Sequence, residues 1–219
     1  SAKSIDVAKA DSLIKEELST LENDEIKIVT SNLGARIISV QLKNFKSYKN
    51  YVANNPTGLY IFDSKKDLFN VEIPTISAKI NLNALAYTLE KKDGEIYYTS
   101  VLPSGKKIKV TYKLADKGYQ LGYGIDVREI SDQITGNEYQ IHWKENILQN
   151  EKDINEERKA TINYLITEDE EFNNLSENPS SIETDNILKP TDWIAFKKKY
   201  FLTGLIPEGS KFVKASITS

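Results

Sequence analysis

The sequence predicts an all-β protein in which antiparallel sheets pack as a sandwich or barrel. Three observations support this: runs of alternating apolar and polar residues, turn residues between those runs, and no long helical periodicity. Successive side chains on a strand point to opposite faces, so an alternating run indicates one buried face and one solvent-facing face. Strands separated regularly by turns are typical of sandwiches and barrels. A doubly wound α/β fold is not expected, because helical patterns do not alternate with the strands.

The first 20 residues are polar and differ from the rest of the chain. Their weak helical spacing allows either a short helix capped by Asp11 or Ser12, or a disordered tether. We expect residues 1–20 to be a tether, and residues 21–219 to form the β-sandwich domain. Because the chain contains no Met, we also expect it to be a fragment of a longer protein. Removal of an initiator Met before Ser1 is the alternative.

Four runs show the alternation most clearly, and each is expected to bury its apolar face. Their apolar members are Ile26 and Ile28; Ile38, Val40 and Leu42; Ile108, Val110, Tyr112 and Leu114; and Tyr139, Ile141 and Trp143. Turns are expected at 32–34, 93–94, 103–105, 116–118 and 136–137, where Gly, Asp or Asn tolerates a positive φ. The charged segments 149–159 and 168–186 are expected to be exposed loops.

Composition and motifs argue against several kinds of chemistry. The net charge of −3 gives no electrostatic reason to expect nucleic acid, and the absence of Cys excludes thiolate metal sites, thiol catalysis and disulfides. His142 is the only His and lies among polar residues of a strand, so a solvated side chain is expected rather than a metal ligand. Residue counts alone do not exclude a Ser-His-Asp triad, but the sequence has no nucleophile elbow. We therefore predict no catalytic, cofactor or metal residues.

Residues 197–199 are three consecutive lysines among the aromatic residues Trp193, Phe196, Tyr200 and Phe201. Such interleaving is found on surfaces that bind nucleic acid or anionic lipid. Along a strand, however, three consecutive side chains cannot share one face. This favours a sheet strand with solvated lysines near a turn, with Trp193, Phe196 and Phe201 as buried anchors.

Three blocks, taken in order, resemble one family. They are Leu21–Leu42, a strand–turn–strand around T-S-N-L-G-A-R; Q-I-H-W at Gln140–Trp143, followed by E-R; and D-W-I-A-F-K-K-K-Y-F-L-T-G-L-I-P at Asp192–Pro207. Together they resemble the large periplasmic domain of the bacterial membrane protein insertase YidC, in a divergent form of the kind seen in Bacteroidetes. The residues that carry the resemblance, expected to be structural, are Gly34, Trp143, Glu157, Arg158, Trp193, Phe196, Tyr200, Phe201 and Pro207.

The resemblance implies a galactose-mutarotase-like supersandwich with few short helices, on the periplasmic side of the inner membrane between two transmembrane helices. It implies a non-enzymatic scaffold and docking module without cofactors. The expected partners are Sec translocon accessory subunits and nascent membrane proteins, with the fragment itself monomeric and no nucleic acid bound. The family continues past Pro207 with further strands, so either these follow in the parent protein or this branch has a shorter domain.

Two sugar-related functions are the alternatives. A mutarotase-like epimerase needs a positioned acid and base, which mutarotases supply from histidines with a carboxylate, and this chain has one His. A carbohydrate-binding module would use exposed aromatic residues, of which the 12 Tyr and two Trp offer candidates. Aromatic residues at strand spacing are more often part of a core.

Overall fold

The computed structural model describes residues 14–136, 138–147, 150–153, 155, 159–177 and 179–219. Strands account for 48% of the structure and helices for 8%, which confirms the predicted all-β class. Among the described residues, no helix is long and apolar enough to cross a membrane.

The strands are numbered in chain order. They are β1 Leu18–Glu22, β2 Ile26–Ser31, β3 Arg36–Leu42, β4 Leu59–Asp63, β5 Leu68–Pro74, β6 Lys79–Asn81, β7 Thr88–Lys92, β8 Glu95–Val101, β9 Lys107–Leu114, β10 Leu121–Asp126, β11 Gln140–Lys144, β12 Thr161–Ile166, β13 Asn173–Asn174, β14 Thr184–Ile187, β15 Thr191–Lys197, β16 Leu202–Leu205 and β17 Ala215–Thr218. The helical segments are α1 at Tyr48–Val52 and 3₁₀ turns at Leu82–Ala84 and Arg128–Gln133.

The chain forms two compact units. The first contains the residues up to Lys46 together with Asn55–Asn146, and the second contains Ser47–Asn54 together with Ile147–Ser219. The second unit is therefore discontinuous in sequence. β1 begins at Leu18, so the first strand includes the last residues of the segment expected to be a tether, whereas residues 1–13 lie outside the described part of the chain.

Three antiparallel sheets build the first unit, in the orders β1-β2-β3-β4, β10-β9-β8-β7 and β11-β5-β6. Val71 and Ile73 from β5 share one buried cluster with Tyr98, Val110 and Tyr112 from β8 and β9. The inner faces of these two sheets therefore meet in one core, as in a sandwich. Burial of apolar surface at this contact is the main stabilising contribution to the unit.

Four tyrosines contact one another in the first unit; Tyr123 is partly buried and the other three are fully buried. The rings of Tyr87, Tyr98, Tyr112 and Tyr123 follow one another at centroid separations of 6.2, 6.2 and 5.2 Å. The hydroxyl of Tyr112 donates to the carbonyl oxygen of Ala35 at 2.7 Å, and the hydroxyl of Tyr87 donates to that of Leu82 at 3.1 Å. Burial raises the pKa of Tyr112 well above its ordinary value, so this hydroxyl keeps its proton and remains a donor.

The second unit has its own core. β13, β12, β15 and β16 form one antiparallel sheet in that order, and β14 pairs with β17. The two sheets share a buried cluster that consists of Ile162, Tyr164, Leu175, Ile187 and Ile217. The acidic segment 168–186, expected to be an exposed loop, instead contains β13, the start of β14 and the buried Leu175.

The predicted burial is correct for β9 and wrong for β11. In β9 the side chains of Ile108, Val110 and Tyr112 are fully buried. β11 forms as a strand, but Tyr139 beside it is 45% exposed and Ile141 is 40% exposed. The register pairs Ile141 with the buried Val71, so both side chains face the same way. Ile141 is nevertheless exposed, because β11 is the edge strand of its sheet and lies at the rim of the core.

Candidate functional site

His142 lies on the polar face of the β11-β5-β6 sheet. Its Nε2 is 3.4 Å from Oε2 of Glu72, and Nζ of Lys79 is 3.5 Å from the same oxygen. Lys79 also donates to Oε1 of Gln140 at 2.5 Å. These side chains form a row across neighbouring strands on an open sheet face, because register partners share a face. Nothing in this row encloses a substrate. Among the described residues, no three His, Cys, Asp or Glu groups are placed to hold a metal ion.

A shallow depression of about 360 Å³ lies along β9 and the segment after β10. It is lined by Lys107, Lys109, Asp126, Arg128 and Glu129. Oδ2 of Asp126 lies 2.6 Å from Nη2 of Arg128, and hydrogen bonds from Arg128 lower the pKa of Asp126 to about 2. At neutral pH this carboxylate is therefore ionised and paired, which suits a structural ion pair rather than a general acid or base.

The edge strand β11 of the first unit carries exposed apolar side chains. We call Tyr139, Ile141 and Trp143 the β11 edge. Trp143 is partly buried, with its ring 6.5 Å from that of Phe69, while the other two side chains reach solvent. Among the described strands, β11 pairs only with β5. An edge strand presents backbone N–H and C=O groups on its outer side, and pairing of such groups with an added strand is a common mode of peptide binding.

Sequence reasoning placed Ile141 on a buried face and so missed this edge. The alternating pattern is the same for a central and an edge strand, and it carries no information on which neighbours a strand acquires. The available signal was two large apolar residues close together, Ile141 on a short strand and Tyr139 just before it, but this pattern was equally compatible with a core strand.

Gly34 in the first block has a structural role. Its φ is +85°, and a Cβ at this position would lie 2.7 Å from the carbonyl oxygen of Asn83. Its backbone N–H donates to the carbonyl oxygen of Leu85 at 2.7 Å. Only glycine fits this combination of positive φ and close backbone approach. In the second block, Glu157 and Arg158 lie outside the described residues.

The aromatic residues of the third block occupy different environments. Phe196 packs against the core of the second unit, on the same face of β15 as Ile194. Trp193 points to the other face, is partly buried and contacts the ring of Phe172 at a centroid separation of 6.2 Å. Phe201 is partly buried in the turn after β15, and Tyr200 beside it is exposed. Pro207, partly buried, follows the end of β16. The block therefore combines core packing with exposed positions.

We expect Trp193→Ala to lower the free energy of unfolding by about 1–2 kcal/mol, less than the cost at a fully buried aromatic site, because this side chain keeps part of its surface in water. Urea unfolding of both proteins measures the difference. Tyr200→Ala in the same block is the control, and its effect is expected to be within about 0.5 kcal/mol. Unchanged stability combined with lost partner binding in Trp193→Ala would instead identify an interface residue.

Comparison with known proteins agrees with the three blocks. A family model described as the YidC periplasmic domain matches residues 18–219. Proteins named membrane protein insertase YidC are similar to this chain in several bacteria. The protein of Parabacteroides distasonis is 30% identical over 200 residues, and that of Amoebophilus asiaticus is 27% identical over 198 residues. These alignments cover 88% and 86% of this chain.

A third relative, from Phocaeicola vulgatus, is 27% identical over 210 residues, which is 93% of this chain. The alignments cover 30%, 32% and 32% of the three relatives, so the chain spans about a third of their length. These matches give no support to the mutarotase-like alternative. With the family model matching almost the whole described chain and the strands forming the expected antiparallel sheets, the chain belongs to the family of YidC periplasmic domains.

Proposed function

We propose that this chain is the periplasmic docking domain of an inner-membrane protein insertase, that it performs no catalysis and that it acts as a monomer. Its proposed partners are nascent membrane proteins and accessory subunits of the Sec translocon. The family described as periplasmic and the relatives named as insertases support this proposal. The open environment of His142 agrees with a role outside catalysis, because an enclosed site that excludes water is typical of enzymes.

The observation that carries the proposal is the β11 edge. An insertase domain meets segments of many different sequences, and strand addition uses backbone hydrogen bonds that every sequence offers. Exposed Tyr139 and Ile141 at this edge strand add apolar contact area for alternate side chains of an incoming strand. This arrangement suits an extended, apolar segment of a partner protein.

Site-specific cross-linking tests the proposal. A photo-reactive amino acid in place of Ile141, in the full-length parent protein in living cells, is expected to form adducts during synthesis of a membrane protein. Mass spectrometry of the adducts separates nascent chains from translocon subunits. Val101 on β8 is the matched control, because it is also an exposed apolar strand residue of the first unit. Adducts that are absent at position 141, or equally abundant at position 101, would contradict a docking role for the β11 edge.

A further inference from the structure

Asp67, in the turn between β4 and β5, carries a buried carboxylate, and only 5% of the residue is exposed. Burying a charged group is costly unless its oxygens are hydrogen-bonded. Oδ2 accepts from the backbone N–H of Asp63 at 2.7 Å, and Oδ1 accepts from that of Asn146 at 2.8 Å. Hydrogen bonds from N–H groups to a carboxylate are among the stronger ones in proteins. The carboxylate therefore joins two segments of the first unit that lie 79 residues apart in the chain.

Asn146 contributes a hydrogen bond in the other direction. Its side-chain amide donates to the carbonyl oxygen of Lys66. The backbone N–H groups of Lys66 and Asp67 donate to the carbonyl oxygen of Asp63 at 2.9 and 2.8 Å, which closes the turn between β4 and β5. We call Asp63, Lys66, Asp67 and Asn146 the Asp67 clasp. Within it, the side chains of Asp67 and Asn146 each form a hydrogen bond with the backbone of the other segment.

The Asp67 clasp lies at one end of β11. The β11–β5 pair ends with Lys144 opposite Leu68. Asp67 directly precedes β5, and Asn146 is two residues beyond the end of β11. Among the described strands β11 pairs only with β5, and it has five residues. Because the end of such a short edge strand opens readily, hydrogen bonds just beyond it decide whether the strand stays paired.

We propose that Asp67 is a positioning residue for the β11 edge, because its carboxylate keeps β11 paired with β5 in one register. An incoming strand that meets an ordered edge loses less conformational entropy on binding than one that must first order it. A carboxylate is needed because both oxygens accept. An Asn side chain at position 67 would have one acceptor oxygen and would turn its amide group toward a backbone N–H. This inference rests on the docking role proposed for the β11 edge.

Hydrogen exchange of the 219-residue chain, followed by mass spectrometry, tests the clasp directly. Asp67→Asn preserves the shape of the side chain and removes one acceptor. We expect the β11 amides that donate to β5 to exchange at least about tenfold faster in this variant, because the end of the strand opens more often. Asn146→Ala removes only the hydrogen bond to Lys66, so a smaller acceleration in the same amides is expected. Circular dichroism checks that each variant is folded.

Asn23→Ala is the matched control. Asn23 also joins two segments of the first unit through its side chain. Its Oδ1 accepts from the N–H groups of Glu25 and Ile26 at 2.9 and 3.0 Å. Its amide donates to the carbonyl oxygens of Ala115 and Gly118, each at 2.9 Å. The substitution is expected to lower the stability of the unit and to leave the exchange of the β11 amides unchanged, because none of these hydrogen bonds involves β11.

Cross-linking in the full-length parent protein then connects the clasp to docking. With the photo-reactive amino acid in place of Ile141, we expect Asp67→Asn to lower the yield of adducts by at least about threefold. Asn23→Ala is expected to leave that yield unchanged, which separates positioning of β11 from a general loss of stability.

Three results would overturn the positioning role. The first is a folded Asp67→Asn variant whose β11 amides exchange at the unmodified rate, and the second is faster exchange with an unchanged adduct yield. The third is an equal loss of adducts in Asn23→Ala. The same criteria apply to Asn146→Ala should Asp67→Asn fail to fold. A lack of adducts at position 141 in the unmodified parent protein would contradict the docking role itself, and the positioning role with it.

Discussion

Tyr112→Ala is expected to lower the free energy of unfolding of the first unit by about 5 kcal/mol. The Tyr112 ring is fully buried between those of Tyr98 and Tyr123, so its removal leaves a cavity that costs about 3–5 kcal/mol. The carbonyl oxygen of Ala35 also loses its donor, which adds about 1–3 kcal/mol. A loss of this size is comparable with the total stability of a typical domain.

Tyr112→Phe separates the two contributions. It keeps the ring and removes only the hydroxyl, so we expect a loss of about 1–2 kcal/mol. Guanidinium unfolding monitored by tyrosine fluorescence measures both variants. If Tyr112→Ala were no worse than Tyr112→Phe, the ring would contribute little, and the two inner sheet faces would not form one tightly packed core.

Gly34→Ala is expected to cost about 3 kcal/mol. A Cβ at this position would lie 2.7 Å from the carbonyl oxygen and 3.0 Å from Cα of Asn83, so backbone must move. The φ of +85° adds the penalty of a left-handed conformation, about 1–2 kcal/mol for a residue with a Cβ. Both costs arise because the turn between β2 and β3 packs closely against the segment that contains Asn83.

Gly94→Ala is the matched control for Gly34→Ala. Gly94 has a similar φ of +77°, but a Cβ there would meet nothing within 4 Å. Its substitution should therefore cost only about 1–2 kcal/mol, the conformational penalty alone. Thermal unfolding measures how much stability each variant loses. The difference between the two losses is the cost of the close approach to Asn83. Equal losses of stability would show that the backbone at Asn83 moves away from the added Cβ without a cost in free energy.

Features that depend only on residues close together in the sequence were predictable from it. The turn at Asp93-Gly94 joins β7 to β8, and both of its residues have the positive φ that such two-residue turns require. Ile26 and Ile28 are buried as their alternation predicts. The three blocks also led to the correct family. The residues that match the family, and the spacing between them, can be read directly from the sequence.

The candidate surfaces were harder to predict, because exposure depends on which strands become neighbours. The alternation around Ile141 is as regular as that around Val110, yet one residue is at a sheet edge and the other is in the core. Likewise, three consecutive lysines look equivalent in the sequence. The turn after Lys197 buries the side chain of Lys198 and places Lys199 against Tyr200.

The sequence by itself determined the fold class, the hairpin turns and the family, because strand alternation, positive-φ residues and motif spacing are local properties. Only the tertiary structure decided the division into two units and the assignment of Ser47–Asn54 to the second unit. It also decided which apolar residues stay in water, from Ile141 at a sheet edge to Tyr200 at a hairpin tip. These outcomes depend on contacts between residues far apart in the chain, which no local pattern encodes.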